Sequence, residues 1–552
     1  MNSIRECISL QFGNYSNFIG THFWNLQEAS FSYDLNNQKP LEICHDILFR
    51  EGLNLKGDVT YTPRLLCVDL KDSFYQLQDI HKGLYDIDSN TVCNEDLCTK
   101  EIATIKNEPI IPNEFLTDLA EEEKCTKDEN DKKINTSKKF YNLDTIVKVW
   151  SDYLKVRFHP RTITGLTQYK HNDSINTFDN FAQGLALWDL YDMKETWVNN
   201  LRLFAEECDY LQGFQVTMDS LNGFGGLASK ALEYLNEEYS NKCVISMPVM
   251  SSNQIDNKKN PDLYAVNSSL LFSSLIESSN IFIPLSTSYD GWARGTNHLN
   301  LEYNCYKNEL DYHTSAILAS AIDTFTLGYR NRFDCNSMKN LSTKLSPIGR
   351  KAISASIQMP LGFNYKSNLL DYLQDIKVPL WKPVSPNCST DMSVAQLMVL
   401  RGINKHLLYS SNLVRESKNP SHHCNSASEM LKLYLSFCDQ SVRCTEVLGF
   451  ESPLETIAPF PNIFSKLINQ DGFLTQIARP SSSVVEKCTA ISGLHNSNSM
   501  GDMLAKLNRD SSKVKGSKLS QMFNYNIDIV DFNDCLERLL VLSDNYSTND
   551  CL

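Results

Sequence analysis

Residues 211–247 read LQGFQVTMDSLNGFGGLASKALEYLNEEYSNKCVISM. FQVTM (214–218) and CVISM (243–247) are near-continuous apolar runs, which suit strands covered on both faces. Between them Ala228, Ala231, Leu232, Leu235 and Tyr239 recur at helical spacing. Strand, helix and strand over this length make a βαβ unit, and hence a parallel sheet. The first strand turns into the helix through Gly223, Gly225 and Gly226. A glycine-rich turn before a helix lets backbone amides and the helix N-terminus approach a phosphate.

The front of the chain repeats the layout. In IRECISLQFGNYSNFIGTHFWNLQ (4–27) an apolar strand, ECISLQF (6–12), meets Gly13 and then a helix with a soft Asn14–Ser16 start. RLLCVDL (64–70) is a further buried strand. GLALWDLYDMKETWVNNLRLFAEE (184–207) places Leu187, Leu190, Trp197, Leu201 and Phe204 on one face, which predicts one long amphipathic helix. CLERLLVLSDN (535–545) predicts a closing helix. The fold class is α/β.

Two stretches interrupt the pattern. In DLAEEEKCTKDENDKKINTSKK (118–139), 13 of 22 residues are Asp, Glu or Lys, so it is expected to be a solvated insertion. SGLHNSNSMGDMLAKLNRDSSKVKGSKLSQ (492–521) is polar and is expected to be a linker around one short helix.

The bulk numbers exclude some classes. The 552 residues give room for two to four domains. A net charge of −14 argues against a nucleic-acid binder and against a standing contact with anionic lipid. No apolar run of about 18 residues exists, so no transmembrane helix is expected. The first residues carry Glu6 and no apolar h-region, so neither a secretory signal nor a mitochondrial presequence is expected. The 17 cysteines are scattered without a CxxC pair and read as reduced thiols of a cytosolic protein. His422, His423 and Cys424 are the one metal-like cluster; adjacent residues do not easily share an ion, so no metal is assigned. His159–Arg161 (HPR) reads as a turn, and Asp531 with Asp534 as acids at a helix start.

Residues 208–242 resemble the run that leads into the tubulin phosphate loop. The N-terminal stretch resembles the tubulin start through Gln11, Gly13, Asn17, Ile19, Gly20, Phe23 and Trp24. TPRLLCVDL (62–70), FAQG (181–184) and YAVNSSLLFSSLIESSNIFI (264–283) resemble further tubulin segments. VWSDYLKVRFHPRTI (149–163) together with FDNFAQG (178–184) lies outside the tubulin pattern, and the whole chain resembles the Misato family, a divergent tubulin-related group. The resemblance implies a tubulin/FtsZ-like nucleotide-domain fold and a place for GTP or GDP at Gln11, Gly13, Asn14, Asp69, Lys71, Gly223, Gly225 and Gly226.

Several of those positions depart from the tubulin pattern. Tubulin's GGGTGSG becomes Leu221–Leu227, with Phe224 in place of a threonine hydroxyl. Asn14, Tyr15 and Ser16 replace QCG. Lys71 stands where an acid would sit near Mg²⁺; it repels a cation, though it suits a phosphate. Leu285 replaces an asparagine that reads guanine, and around 336–350 no acid matches the one that promotes hydrolysis. Two readings stay open: a weak residual site for GTP or GDP, and plain strand-to-helix turns. The second is preferred, with no catalytic residue, no cofactor and no metal.

The expected organisation is a tubulin-like first part over 1–85, a charged insertion over 86–140, the tubulin-like domain continued over 141–330, an intermediate α/β domain over 331–430, and a mostly helical region over 431–552. The Misato resemblance implies a non-catalytic role in mitochondrial distribution, morphology and inheritance, in the cytoplasm and at the outer mitochondrial surface. It implies protein partners (tubulin, chaperonin and mitochondrial-surface proteins) and peripheral membrane association through them. A GTP switch and a tubulin- or chaperonin-linked cofactor of spindle assembly are the alternatives.

Overall fold

The computed structural model describes residues 4–31, 42–53, 57, 59–74, 112–125, 136, 139–171, 176–257, 260–295, 297–333, 336–364, 369–374, 379–389, 393–408, 424–438, 444–522 and 527–547. Its first sheet comprises β1 (Cys7–Phe12), β2 (Leu65–Leu70), β3 (Ile163–Leu166), β4 (Gly213–Asp219), β5 (Cys243–Met250), β6 (Ile281–Phe282) and β7 (Leu285–Ser286). The order is β3-β2-β1-β4-β5-β6, with β7 also on β5, and every pairing is parallel. The four apolar runs predicted as strands are all present, and β1, β2, β4 and β5 are buried throughout. This is the tubulin-like parallel sheet that the sequence implied.

Helices cover both faces. On one lies α1 (Asn14–Ala29), and α2 (Glu114–Cys125) packs into the same core. On the other lie α3 (Phe181–Trp188), α4 (Tyr191–Glu206), α5 (Gly223–Glu238) and α6 (Pro261–Ser278). The long helix α7 (Asp311–Arg330) lies over the α1 face and continues to a second sheet. That sheet holds β8 (Ser354–Gln358), β9 (Lys382–Pro383), β10 (Ser393–Arg401), β11 (Cys444–Phe450) and β12 (Ala490–Ser497), in the order β9-β8-β12-β10-β11. α8 (Ser499–Ser512) and α9 (Ile529–Ser547) close the chain against α6.

Four expectations are corrected. The single amphipathic helix over 184–207 is two helices. The chain leaves helical geometry at Leu190 (φ −71°, ψ 119°), whose side chain is exposed, while Trp197, Leu201 and Phe204 are buried as predicted. The charged stretch from Asp118 is helical as far as it is described, to Cys125. Phe115, Leu116 and Leu119 anchor this helix in the core, and Asp118 takes Lys139 Nζ at 2.5 Å and Tyr141 Oη at 2.8 Å. The polar linker expected over 492–521 instead begins as β12, a central strand, and continues as α8.

Polarity misleads at β12 because its side chains find partners inside. Ser492 Oγ donates to Ser356 O at 2.7 Å, and Asn496 Nδ2 donates to Leu345 O and Arg350 O at 2.8 and 2.9 Å. Buried polar groups are tolerated when satisfied in this way. Finally, the boundary expected near 430 is crossed: β11 and β12, from beyond it, complete the sheet begun by β8.

Asp323 ties α7 to the second sheet. Its carboxylate holds Arg330 of α7 at 2.7 Å and Arg401 of β10, and all three are fully buried. Burial alone would raise its pKa, but the two guanidiniums outweigh that and hold it below the ordinary carboxylate range.

Candidate functional site

In an open parallel sheet, ligands bind beyond the carboxyl ends of the strands, where successive helices leave on opposite faces. Here that point lies between β1, which feeds α1, and β4, which feeds α5. β2, on the other side of β1, carries Asp69 as its penultimate residue.

Gly13 links β1 to α1 at φ 106°, a region that favours glycine. It is the N-cap position of α1 and has no side chain to satisfy the first turn. Asp219, the last residue of β4, does so instead. Its carboxylate accepts from Ser16 N at 2.7 Å, Tyr15 N at 3.3 Å and Asn222 Nδ2 at 3.1 Å. Burial lifts its pKa to about 7 despite these donors, and the neighbouring Asp69 adds to the rise. A Cβ on Gly13 would lie 2.5 Å from Asp219 Cγ, so the glycine is also where the carboxylate presses on the backbone.

Asp69 is fully buried. Leu70 N donates to it at 2.7 Å, Trp150 Nε1 at 2.8 Å and Asn17 Nδ2 at 3.3 Å. Burial raises its pKa, with His171 Nε2, 3.9 Å away, pulling the other way. Trp150 opens a 3-10 turn, Trp150–Tyr153, that lies along α1. Tyr153 Oη donates to Phe18 O at 2.9 Å and its ring lies 4.6 Å from that of His22. Asn25 of α1 grips the same segment at Tyr153 O and Lys155 N. Tyr15 is buried too, its hydroxyl 3.0 Å from Thr314 Oγ1 at the start of α7.

The glycine turn of β4–α5 meets its own chain. Asn222 caps α5 by accepting from Phe224 N at 3.0 Å, and Gly223 N donates to Phe178 O at 3.1 Å. The Phe224 ring packs edge-on against Phe178, centroids 4.9 Å apart. Gly226 serves helix packing: a Cβ there would lie 2.0 Å from Phe181 O of α3. Gly225 faces the backbone of Asp219, 3.2 Å from such a Cβ.

Of the predicted residues, Gly13, Asp69 and Gly225 thus gather around the strand ends. Gln11 does not: it points to the α1 face, under Gly20. Lys71 is exposed in the turn after β2, apart from the buried Asp69. Asn14 begins α1, and its Oδ1 is buried without a hydrogen-bond partner among the described residues. His159 accepts from Arg161 N and caps a turn, as read. His422 and His423 lie outside the described residues. Sequence reasoning missed Asp219, Trp150 and Tyr153 as occupants. The signal for Asp219 was an acid at the entrance of a turn otherwise suited to anions.

The tubulin fold implies a guanine nucleotide with Mg²⁺, and these residues do not fit it. The amides of the first turn of α1 are taken by a carboxylate that repels phosphate. Those of Gly223 and Phe224 go to Phe178 and Asn222, and the Asp69 oxygens accept from the Trp150 indole, the Asn17 amide and Leu70 N.

Residues 5–121 match the Misato Segment II tubulin-like domain, and residues 142–331 match the tubulin domain. Protein misato of Drosophila melanogaster is 31% identical over 100% of both chains. The chain belongs to the Misato family. Protein misato homolog 1 of Danio rerio is 33% identical over 98% of this chain and 97% of its own, and that of Homo sapiens is 29% identical over 99% of each. The Trp150–Tyr153 segment that closes over Asp69 lies inside the match to the tubulin domain, so, contrary to expectation, residues 149–163 do not fall outside the tubulin pattern.

Proposed function

We propose that this Misato-family protein works without nucleotide chemistry, as a cytosolic adaptor at the outer mitochondrial surface in mitochondrial distribution, morphology and inheritance. The mitochondrial part of the reading rests on family membership. The non-catalytic part rests on one observation: Asp219 takes the α1 amides that a phosphate would need. Among the described residues no helix is long and apolar enough to cross a membrane, so the proposed attachment is peripheral, through partner proteins.

The test is depletion of the protein from cells and re-expression of the wild type or of Lys71→Ala. Among the candidate site residues Lys71 is the exposed cation, so its loss spares the fold. The expected result is a collapsed or maldistributed mitochondrial network, restored equally by both chains, with the protein released from isolated mitochondria by alkaline extraction. A normal network after depletion overturns the mitochondrial reading. Failure of Lys71→Ala alone favours a nucleotide switch.

A further inference from the structure

We propose that Asp219 is a resident anion: its side chain supplies to the starts of α1 and α5 the negative group that a bound oxyanion supplies in a nucleotide-dependent fold, and its removal opens a small oxyanion site. The inference stands on the geometry of the strand ends and is independent of the mitochondrial reading.

Three observations carry it. First, donors converge on the carboxylate from two helix starts: the second and third amides of α1, and Asn222, the N-cap of α5. Helix N-termini favour negative charge, and an Asp at such a place acts as a cap supplied from the neighbouring strand, distant only in sequence. Second, Asp219 is buried, 3% exposed, and among the described residues it has no cation in ion-pair contact. The charged group that acts on it is another acid, Asp69. Once ionised, above its pKa of about 7, a buried carboxylate held by N–H donors alone has the surroundings of a bound anion. Third, Gly13 leaves no room between backbone and carboxylate, the close approach that glycine permits to a ligand. The usual capping role, filled by the residue before the helix, is unavailable to Gly13. The chain therefore spends a distant residue on it.

The full-length wild type, Asp219→Ala and Asp219→Ser are compared by thermal unfolding in sodium formate or sodium phosphate, against chloride of equal ionic strength. Formate replaces the lost carboxylate; phosphate is the larger oxyanion. The variants are expected to melt several degrees below wild type in chloride and to recover most of that loss in one of the oxyanions. The recovery is read beyond the general salt shift of the wild type. Variants as stable as wild type overturn the proposal, as does a loss that neither oxyanion repairs. Should a variant not fold in chloride, refolding yield with and without the oxyanion is the readout, and no gain in yield overturns it.

Discussion

The carboxylate of Asp219 lies 2.7 Å from the backbone nitrogen of Ser16, 203 residues earlier in the chain. One contact thus ties the end of β4 to the start of α1, across the point where a tubulin-like sheet would receive its ligand. The first prediction concerns the glycine beneath it. Gly13→Ala places a methyl in the carboxylate and strains a φ of 106°. It should cost about 2–4 kcal/mol from strain and overlap together. In an Asp219→Ser background the cost should shrink toward the strain alone. Chemical denaturation of the four chains of this cycle gives the coupling, and strict additivity would mean that the two groups do not press on each other.

Trp150 plays two parts, and two substitutions separate them. Trp150→Phe keeps most of the packing but leaves Asp69 without its indole donor, an expected loss of about 1–3 kcal/mol. Trp150→Ala also removes a fully buried ring and should cost about 3–5 kcal/mol. Urea midpoints check both. Equal losses would mean that the hydrogen bond carries the whole effect.

Asp323 couples α7 to the second sheet. Asp323→Asn leaves two buried guanidiniums without a counter-charge and should cost about 3–5 kcal/mol. Arg401→Met should cost less, because Arg330 still neutralises the acid. The opposite ranking in denaturation would place the stabilisation elsewhere. Because the folded pKa of Asp323 is depressed, its contribution is present above the unfolded value and is lost only as pH falls through the folded one.

His495 should set a different pH window. Burial pushes its pKa down to about 4. The unfolded chain takes up this proton below about 6.5, whereas the folded chain refuses it until about 4. Its contribution is therefore intact above the unfolded value and falls as pH drops toward the folded one. His495→Gln removes that slope. The stability difference between wild type and variant should move by about 2 kcal/mol in the variant's favour between neutral pH and pH ~5. Parallel stability curves would contradict this.

The parallel sheet was legible because β1, β2, β4 and β5 are largely apolar runs, and β1, β4 and β5 adjoin a glycine turn or a strongly periodic helix. β12 was not legible. Ser492, Asn496 and His495 look solvent-facing until Ser356, Leu345 and Arg350 supply partners from distant elements. The break at Leu190 was hidden because leucine fits the helical pattern while its backbone leaves it. At the site, the lost threonine at Phe224 and the Lys71 change could be read from the resemblance to tubulin. The occupants could not, since Trp150 and Asp219 reach Asp69 and Ser16 only through the fold.

The account's central claim is that side chains of this protein take the place of nucleotide at the ends of β1, β2 and β4. The most direct measurement is the nucleotide released when the purified protein is denatured, separated by anion exchange and compared with protein concentration. The account predicts none, and no gain in melting temperature when GTP and Mg²⁺ are added to the folded protein. Stoichiometric GTP or GDP would contradict it, because Asp219 would then have to leave the α1 amides.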